Sequence, residues 1–366
     1  MISFEDRLYY LGFSHFLGIG PIKFQLLKTH FSSVKNAYLA PKEELNQVLG
    51  EKLTLRFVNF RSQFDLEKKF QEIEKKQIKI LTIDDDEYSE SLKNISDPPI
   101  CLYLKTELEI KSLFFNEMVL AIVGTREPTD YGKKVATIFS KELTQAGFTI
   151  ISGLAYGIDT LAHWACLESQ GITMAVLGCG VDIVYPAANR FLYEKIIQNG
   201  AVISEFPPGQ LVLKGLFIAR NRIISGLSKG VMVVEGEKDS GSLITARYAA
   251  EQGKIVFAPP APILSDKSQA PNILLKQGAK LVTSVEDIFE EFNIKIKSHK
   301  KNEILKSLSD FEKEMFLKLE GKPLTVEELI VIFQKPIGEI LNALSLMEIK
   351  DLIRKKETGE YEVRFF

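Results

Sequence analysis

Short continuous runs of apolar residues alternate with helical patterns through the middle of the chain. These runs predict strands near residues 78–81, 100–104, 119–123, 148–152, 172–178, 201–204, 231–234, 255–258 and 280–283. The segments between them place apolar residues at helical spacing, as in the helix that begins at about Gly132. Because continuous apolar strands are buried on both faces, the pattern predicts an α/β fold with a mostly parallel sheet covered by helices on both sides.

The segments on either side of this core have different patterns. Residues 1–63 predict short helices that form a small helical domain, and residues 64–292 carry the alternating strands and helices. Residues 293–308 contain clustered lysines and predict a solvated linker. Residues 309–366 predict a separate small domain. A chain of 366 residues is long enough for this organisation.

A turn with the sequence Leu17-Gly-Ile-Gly-Pro21 separates the first two helical patterns. Such a turn is typical of a helix-hairpin-helix module, which binds DNA phosphate through backbone N–H groups, or of a SAM-like helical domain. The simpler interpretation is a helix–helix turn in which glycine supplies a positive φ and Pro21 begins the next helix. Only Lys23 and Lys28 add positive charge nearby, which slightly favours the simpler interpretation.

The last segment shows the order helix, helix, helix, hairpin. Ser309, Thr325 and Pro336 predict the starts of the three helices, and two short apolar runs after residue 351 predict the hairpin. This is the order of a winged helix, a domain that binds DNA or protein. Because glutamates interrupt the third helix, the sequence favours a protein-interaction or structural role over phosphate contact.

Composition narrows the class of protein. Hydrophobic residues make up 45% of the chain, charged residues 26%, and the net charge is −2, so any nucleic-acid surface must be a local patch. The three cysteines are far apart, which predicts neither a disulfide framework nor a zinc site. No apolar run approaches the ~20 residues needed to span a bilayer. We therefore expect a cytoplasmic protein without membrane contact.

Small, polar, Gly-rich turns follow three of the predicted strands, and each leads into a helix. The candidate residues in these turns are Gly124, Thr125, Arg126, Ser152, Gly153, Ser240, Gly241 and Ser242. In an open parallel sheet such turns meet at the carboxyl edge of the strands, where ligands bind. Their N–H groups and helix N-termini suit phosphate, so the sequence predicts an anion site there.

A basic stretch accompanies these turns. No acidic residue occurs between Glu205 and Glu235, and the polar candidates within this stretch are Lys214, Arg220, Asn221 and Arg222. Arginine suits phosphate because its planar fork binds two oxygens at once. Arg220 and Arg222 lie about 200° apart on a helix, so both face one ligand only if the segment begins as a turn. One or both could instead form internal ion pairs with Glu205, Asp159 or Glu235.

Aromatic residues follow the predicted strand at 172–178, in the segment 185–193. Asn189 and Phe191 are its candidate DNA contacts, because exposed aromatics beside arginines provide stacking for the bases of single-stranded nucleic acid. Phe191 or Tyr193 could equally be a core residue at helical spacing.

Catalytic constellations are scarce. Asp159 and His163 are four residues apart, which suits either a base with its orienting partner or a first-turn aspartate with a packed histidine, and the second interpretation is favoured. The acidic run at 84–87 predicts a solvated loop in preference to a metal site. There is no Walker sequence and no Ser/His/Asp set. The sequence therefore predicts binding without catalysis, and no metal or cofactor.

Taken together, the motifs resemble those of the DNA-processing protein A family (DprA, also called Smf). They cover about residues 85–285 and comprise Ile122-Val-Gly-Thr-Arg126, Ser152-Gly-Leu-Ala-Tyr-Gly-Ile-Asp159 with Ala162-His163, Val176-Leu-Gly-Cys-Gly180 with Tyr185-Pro186, Ser204-Glu205, Arg220-Asn-Arg-Ile-Ile224, Ser240-Gly-Ser-Leu-Ile-Thr-Ala246 and Gly278-Ala279. The resemblance implies an extended Rossmann-like fold with a helical N-terminal domain and a C-terminal winged helix. It also implies single-stranded DNA binding, a homodimer through the Rossmann domain, and loading of RecA recombinase during transformation or recombination.

The chain departs from the family pattern at three places. Tyr156 stands where the family has arginine, Ala187 where lysine is frequent, and Ala258-Pro-Pro260 where Val-Pro-Gly is usual. The first two departures remove positive charge from the edge of the expected site. The alternative function is that of a nucleotide-binding or nucleotide-hydrolysing Rossmann enzyme of the "lonely guy" type. Such enzymes have a Pro-Gly-Gly-x-Gly-Thr turn, whereas this chain has Asp239-Ser-Gly-Ser-Leu-Ile-Thr245.

Overall fold

The computed structural model describes residues 2–294, 308–350, 352–356 and 358–363. The chain forms two compact units, residues 1–293 and residues 294–366. The predicted linker at 293–308 lies almost entirely outside the described residues. The helical N-terminal segment and the α/β core both belong to the first unit.

A nine-stranded sheet forms the centre of the first unit. Its strands are β1 (Lys79–Thr82), β2 (Cys101–Lys105), β3 (Val119–Val123), β4 (Thr149–Ser152), β5 (Thr173–Val176), β6 (Gly200–Ser204), β7 (Gly230–Val233), β8 (Ile255–Ala258) and β9 (Lys280–Leu281). They lie in the order β1-β2-β6-β5-β4-β3-β7-β8-β9. Strands β1 and β2 pair antiparallel, as do β2 and β6, and all other pairs are parallel. The predicted α/β fold with a mostly parallel sheet is confirmed.

Helices connect and cover these strands. In the first unit they are α1 (Phe4–His15), α2 (Pro21–Phe31), α3 (Val34–Leu39), α4 (Lys42–Leu49), α5 (Glu51–Gln63), α6 (Leu66–Lys75), α7 (Glu90–Lys93), α8 (Ile110–Phe114), α9 (Asp130–Gln145), α10 (Ile158–Glu168), α11 (Arg190–Asn199), α12 (Lys214–Leu227), α13 (Gly241–Glu251), α14 (Gln269–Lys276) and α15 (Val285–Glu291). Strands β3 to β7 are buried along their whole length, as continuous apolar runs require.

The turn between α1 and α2 differs in one detail from its prediction. Pro21 is the first residue of α2, as expected, but neither Gly18 nor Gly20 has a positive φ. Gly18 is instead required by packing, because a Cβ atom there would lie 2.8 Å from the Phe16 ring. The helix-hairpin-helix and the plain-turn interpretations both stay predictions.

Polar contacts join the N-terminal helices to the antiparallel end of the sheet. The Arg7 guanidinium donates to the backbone oxygen of Ile80 at 2.8 Å and to Asp85 at 2.6 Å. Asp84 accepts from Lys28 at 2.5 Å and from the Tyr10 hydroxyl. The acidic run is predicted to be a solvated loop, but two of its aspartates, Asp84 and Asp85, accept hydrogen bonds from side chains of α1 and α2 and so connect these helices to the end of β1.

The second unit contains α16 (Asp310–Gly321), α17 (Val326–Phe333), α18 (Ile337–Ile349) and the antiparallel pair β10 (Ile353–Lys355) and β11 (Tyr361–Val363). Ser309 and Thr325 form the capping boxes that begin α16 and α17. The order of three helices and a hairpin is the one predicted, and the winged-helix assignment stays a prediction.

In the described part of the chain, no single helix has both the length and the apolar composition needed to cross a membrane. Only α17 and α18 together meet that condition, and these two helices are bent by 116° relative to each other.

Candidate functional site

The sheet reverses its direction of growth between β3 and β7. From β3 the chain proceeds outward through β4, β5 and β6, and it then returns to the other side of β3 for β7, β8 and β9. The carboxyl ends of β3 and β7 are thus the switch point of the sheet, where open α/β folds form a crevice. A cleft of about 770 Å³ lies at this place.

Most of the predicted site residues meet in this cleft. Those that line it are Gly124, Thr125, Arg126, Lys214, Arg220, Asn221, Ser240, Gly241 and Ser242. They come from the turns after β3 and β7 and from α12. The sequence-based expectation that these turns share one edge therefore agrees with the geometry.

Arg126 and Lys214 place long, positively charged side chains in the lining of the cleft. Both are exposed, and neither pairs with a carboxylate among the described residues. Cations without an internal partner are available to an external anion, and binding one costs no existing ion pair. These two side chains are the strongest candidates for phosphate contact.

Arg220 lies at the floor of the cleft and is buried. Its Nε donates to Asn221 at 3.1 Å, and one terminal nitrogen donates to the backbone oxygen of Val176. Burial lowers the pKa of Arg220 to about 10, so the guanidinium is charged at neutral pH. Gly153 is required here, because a Cβ atom at residue 153 would lie 2.1 Å from Arg220 Nη2.

Asp159 sits behind Arg220 in the first turn of α10, where it is buried and also lines the cleft. Its carboxylate accepts N–H bonds from Gly153 at 3.0 Å and Ala155 at 3.4 Å. Burial raises the pKa of Asp159, while the nearby charge of Arg220 and the N–H donors oppose that rise. The carboxylate therefore shapes the turn after β4 and supports Arg220.

His163 is also enclosed. Its Nδ1 lies 2.7 Å from Thr173 Oγ1, which itself donates to the backbone oxygen of Ile150 at 2.8 Å. Nδ1 consequently carries the proton and donates to the threonine. The interpretation of the Asp159–His163 pair as a helix-turn aspartate with a packed histidine fits this geometry, since the two side chains have separate partners.

A pH dependence of stability follows from the buried histidines. Burial lowers the pKa of His163 to about 3 and that of His15 to about 4, whereas histidine in an unfolded chain titrates near 6.5. The unfolded chain therefore binds more protons, and stability is lost as the pH falls below about 6.5. At pH 5 the expected loss is roughly 2 kcal/mol per histidine. Urea unfolding, followed by the fluorescence of the single tryptophan, Trp164, at pH 7 and pH 5 measures this loss.

A matched variant isolates the contribution of His163. His163→Asn keeps a donor for Thr173 but cannot take up a proton, so about half of the pH dependence should disappear. An unchanged dependence in this variant would show that His163 does not titrate with unfolding.

Glu235, which follows β7, fastens the turn after β3. Its side chain accepts from the Thr129 hydroxyl at 2.6 Å and the Thr129 N–H at 2.9 Å, and its backbone oxygen accepts from the Thr125 N–H at 2.8 Å. The carboxylate is buried and its oxygens are occupied by Thr129. Glu235 thus positions the turn that carries Arg126.

The N-terminus of α13 faces the cleft through Ser240, Gly241 and Ser242. Ser240, not Ser242, is the N-cap residue, and its hydroxyl accepts from the Ser242 N–H at 3.4 Å. The partial positive charge at the N-terminus of a helix favours an anion at this position.

The structure does not bring Arg222 to the cleft. Its guanidinium forms a two-pronged ion pair with Glu205, at 2.7 and 2.6 Å, and a third contact with Asp97 at 2.8 Å. Burial opposes its charge, but the two carboxylates raise the pKa of Arg222 above its ordinary value. The predicted phosphate contact of Arg222 is therefore corrected to an internal ion pair. Since α12 is a continuous helix, Arg222 points away from Arg220.

Ser152 and Asn189 are also used internally. The Ser152 hydroxyl donates to the backbone oxygen of Ile122 at 2.6 Å. The Asn189 side-chain amide donates to the backbone oxygen of Leu154 at 3.0 Å and to the Thr160 hydroxyl at 2.8 Å. Both side chains are buried and neither lines the cleft. They hold the turn after β4 and the start of α11, which corrects their prediction as direct contacts.

Phe191 lies outside the cleft but on the surface. Its side chain is 60% exposed, and its ring lies 5.8 Å from that of Trp164. Lys195 Nζ is 5.7 Å from the centre of the Phe191 ring. Closer to the cleft, the half-exposed Tyr185 packs against Phe217, with ring centres 5.4 Å apart. One aromatic pair, Tyr185 and Phe217, therefore lines the cleft, and the second, Phe191 and Trp164, lies outside it on α11 and α10.

Acidic residues on the rim were missed by the sequence reasoning. Glu127, Glu237 and Asp239 line the cleft on the β7 side. Lys267 Nζ lies 2.7 Å from Glu237 and 3.6 Å from Glu127 and joins the two loops. The signal was available, because Glu127 directly follows Arg126 and Asp239 directly precedes Ser240.

Comparison with known proteins decides the family. The model of the DNA recombination-mediator protein A family matches residues 79–293, which include all nine strands of the sheet. The chain belongs to the DNA recombination-mediator protein A family.

Curated relatives and solved structures agree with this assignment. Protein Smf from Synechocystis sp. is 38% identical over 283 residues, which cover 76% of this chain and 71% of the relative. DNA processing protein DprA from Bacillus subtilis is 43% identical over 214 residues, or 58% and 71% of the two chains.

The X-ray structure of DNA processing protein A from Streptococcus pneumoniae has a TM-score of 0.67 at 35% identity and covers 80% of this chain and 99% of its own. DNA processing protein A from Helicobacter pylori, whose structure gives insight into its single-stranded DNA binding mode, has a TM-score of 0.53 at 29% identity and covers 59% and 95%.

Two of the departures of this chain from the motifs of the DNA recombination-mediator protein A family are at exposed positions. Tyr156 is 49% exposed and does not line the cleft. Ala187 is exposed at the start of the short helix Ala187–Asn189. Both positions are on the surface, so the missing charges change the field around the cleft without altering the core.

Proposed function

We propose that this protein binds single-stranded DNA at the carboxyl edge of its sheet, in preference to duplex and with little sequence choice. The observation that carries the proposal is the pair of unpaired cations, Arg126 and Lys214, at a switch-point cleft with the N-terminus of α13. Phosphate contacts give affinity without sequence information. The related protein from Helicobacter pylori, which binds single-stranded DNA, supports the same ligand here.

The aromatic surfaces on the β5 side suit the bases of such a strand. Tyr185 lies at the cleft, and Phe191 with Trp164 and Lys195 forms a stacking surface farther out. Stacking on aromatic rings is tolerant of sequence and requires bases that are not already paired. These surfaces therefore favour a single strand over a duplex.

The biological role proposed here rests on the family resemblance. The protein protects incoming DNA and loads RecA recombinase during natural transformation or recombination, and it acts as a homodimer through the Rossmann domain. Two clefts in one dimer lengthen the path for a strand and add avidity.

We also propose that the protein is not an enzyme. Asp159, His163 and Glu235 have structural partners, as described above. In the part of the chain that the structure describes, no group of three or more His, Cys, Asp or Glu side chains is arranged to hold a metal ion.

Fluorescence anisotropy with a labelled dT20 oligonucleotide and a blunt 20-base-pair duplex tests the ligand. The protein should bind dT20 more tightly, and the logarithm of its affinity should fall linearly with the logarithm of salt concentration, by ~0.7 per phosphate contact. Equal or tighter binding of the duplex would contradict the proposal. Release of base from nucleoside monophosphates that is abolished by Glu235→Gln would instead support the nucleotide-hydrolase alternative.

A further inference from the structure

We propose that the turn Pro262–Ser265, here called the apolar tip, inserts Ile263 and Leu264 between or against the bases of the single strand as it leaves the cleft on the β8 side. This inference rests on the proposed function, because it assigns a base-binding element to the same DNA site. It also gives the strand an exit on the side opposite the aromatic surfaces at Tyr185 and Phe191.

The apolar tip is the most exposed pair of large apolar side chains among the described residues. Ile263 is 89% and Leu264 is 96% exposed. They occupy the two central positions of a turn closed by the hydrogen bond from Ser265 N–H to Pro262 O at 3.1 Å. Adjacent aliphatic side chains held almost wholly in water mark a contact surface, since they contribute nothing to the folded core.

The base of the apolar tip is fastened to the rim of the cleft. The Gly236 N–H donates to the backbone oxygen of Lys267 at 2.6 Å, and the Ala270 N–H donates to the backbone oxygen of Gly236 at 2.7 Å. The Tyr131 hydroxyl donates to the backbone oxygen of Pro260. These bonds connect the loop after β8 to the loop after β7 and to α9, so the tip projects from a fixed base beside the cleft.

The charges around the apolar tip indicate which part of the DNA meets it. Glu127, Glu237 and Asp239 line the cleft on this side, and the exposed Asp266 lies next to the tip. Lys267 is already paired with two glutamates. Phosphate is repelled by this rim, whereas uncharged bases are not. A strand held by Arg126 and Lys214 therefore meets the tip with its bases, and its phosphates point to solvent.

Aliphatic wedges against bases are a known solution in DNA recognition, where Leu, Ile and Pro separate neighbouring bases at a cost of unstacking. A single strand has little stacking to lose, but a duplex must be opened. The apolar tip should therefore strengthen single-strand binding and leave duplex binding unchanged. The distance also fits a short strand, because β5 and β8 are four positions apart in the sheet, or about 19 Å.

The test is anisotropy with dT20 and with the blunt duplex, on the full chain. The variant Ile263→Ser/Leu264→Ser should bind dT20 about tenfold more weakly, the loss of roughly one buried aliphatic contact, with duplex binding unchanged. The matched control is Leu39→Ser/Ile138→Ser, which removes one exposed leucine and one exposed isoleucine away from the cleft. The control should bind like the wild type.

A second measurement observes the contact directly. The chain has one tryptophan, so Leu264→Trp in a Trp164→Phe background places the only indole at the apolar tip. Addition of dT20 should quench its fluorescence, and addition of duplex should not. An unquenched indole with dT20 bound would overturn the inference.

The remaining outcomes separate the inference from the proposed function. If Arg126→Ala weakens dT20 binding but the tip variant binds like its control, the tip has no role and the proposed function stands. If the wild type does not prefer dT20, the proposed function itself fails. If the tip variant changes the sedimentation coefficient while its affinity per subunit is unchanged, the tip is a protein contact and the inference is overturned.

Discussion

Substitution of Arg222 by alanine should lower the free energy of unfolding by about 3–5 kcal/mol, because it leaves buried carboxylate charge without a partner. The Arg222 side chain is 4% exposed and that of Glu205 is 13% exposed. The three short contacts of Arg222, two with Glu205 and one with Asp97, fix α12 to the end of β6 and to the segment before β2. Urea unfolding at pH 7 measures the change.

A double variant separates the effect of losing the ion pair from the effect of leaving the Glu205 carboxylate buried without a partner. Arg222→Ala/Glu205→Ala removes both charges, so it should recover part of the stability lost in Arg222→Ala. Equal destabilisation of the single and double variants would assign the effect to packing. If Arg222→Ala stayed fully stable and lost DNA binding, the sequence-based phosphate contact would be correct after all.

Substitution of Arg126 by alanine should weaken DNA binding and leave stability nearly unchanged, which is the opposite of the effect expected for Arg222→Ala. DNA affinity should fall by about 10- to 100-fold, because a hydrogen bond to a charged group contributes about 1.5–3 kcal/mol. The melting temperature should stay nearly unchanged, since the side chain is exposed and lacks an ion pair among residues 2–294. The salt dependence should become shallower by ~0.7 in its logarithmic slope.

Arg56→Ala is the matched control for Arg126→Ala. Arg56 is exposed on α5, away from the cleft, and its removal takes the same charge from the chain. If both variants lost affinity equally, only the overall charge would matter and Arg126 would have no specific role. A large loss of stability in Arg126→Ala with affinity retained would identify it as a structural residue.

The sequence predicted the central strands, β3 to β7, well because they are buried along their whole length. All nine predicted strands are present within two residues of their expected positions. A strand buried on both faces is apolar at most positions, and such a run can be recognised without knowledge of its neighbours. The meeting of Gly124, Arg126 and Ser240 at one edge also followed, since parallel strands share their carboxyl edge.

The partners of individual polar side chains were not predictable in the same way. Arg220 and Arg222 are two residues apart in the same basic stretch, yet one lines the cleft and the other is paired with Glu205. Their opposite directions follow from the helix, but which direction faces the cleft depends on how α12 packs. Ser152 and Asn189 were likewise predicted to contact DNA. A single sequence does not show that their side chains donate instead to the backbone oxygens of Ile122 and Leu154.

The contact between Arg7 and the backbone oxygen of Ile80 determines how the protein can be shortened. Strand β1 is one of the two edge strands of the sheet, and α1 supplies the donor for one of its outward carbonyls. The family match begins at residue 79, the first residue of this strand. A fragment cut there would begin with an uncovered strand edge, ready to pair with another chain and aggregate. The N-terminal helices thus serve the sheet as its cover, and the smallest fragment that stays monodisperse must retain them.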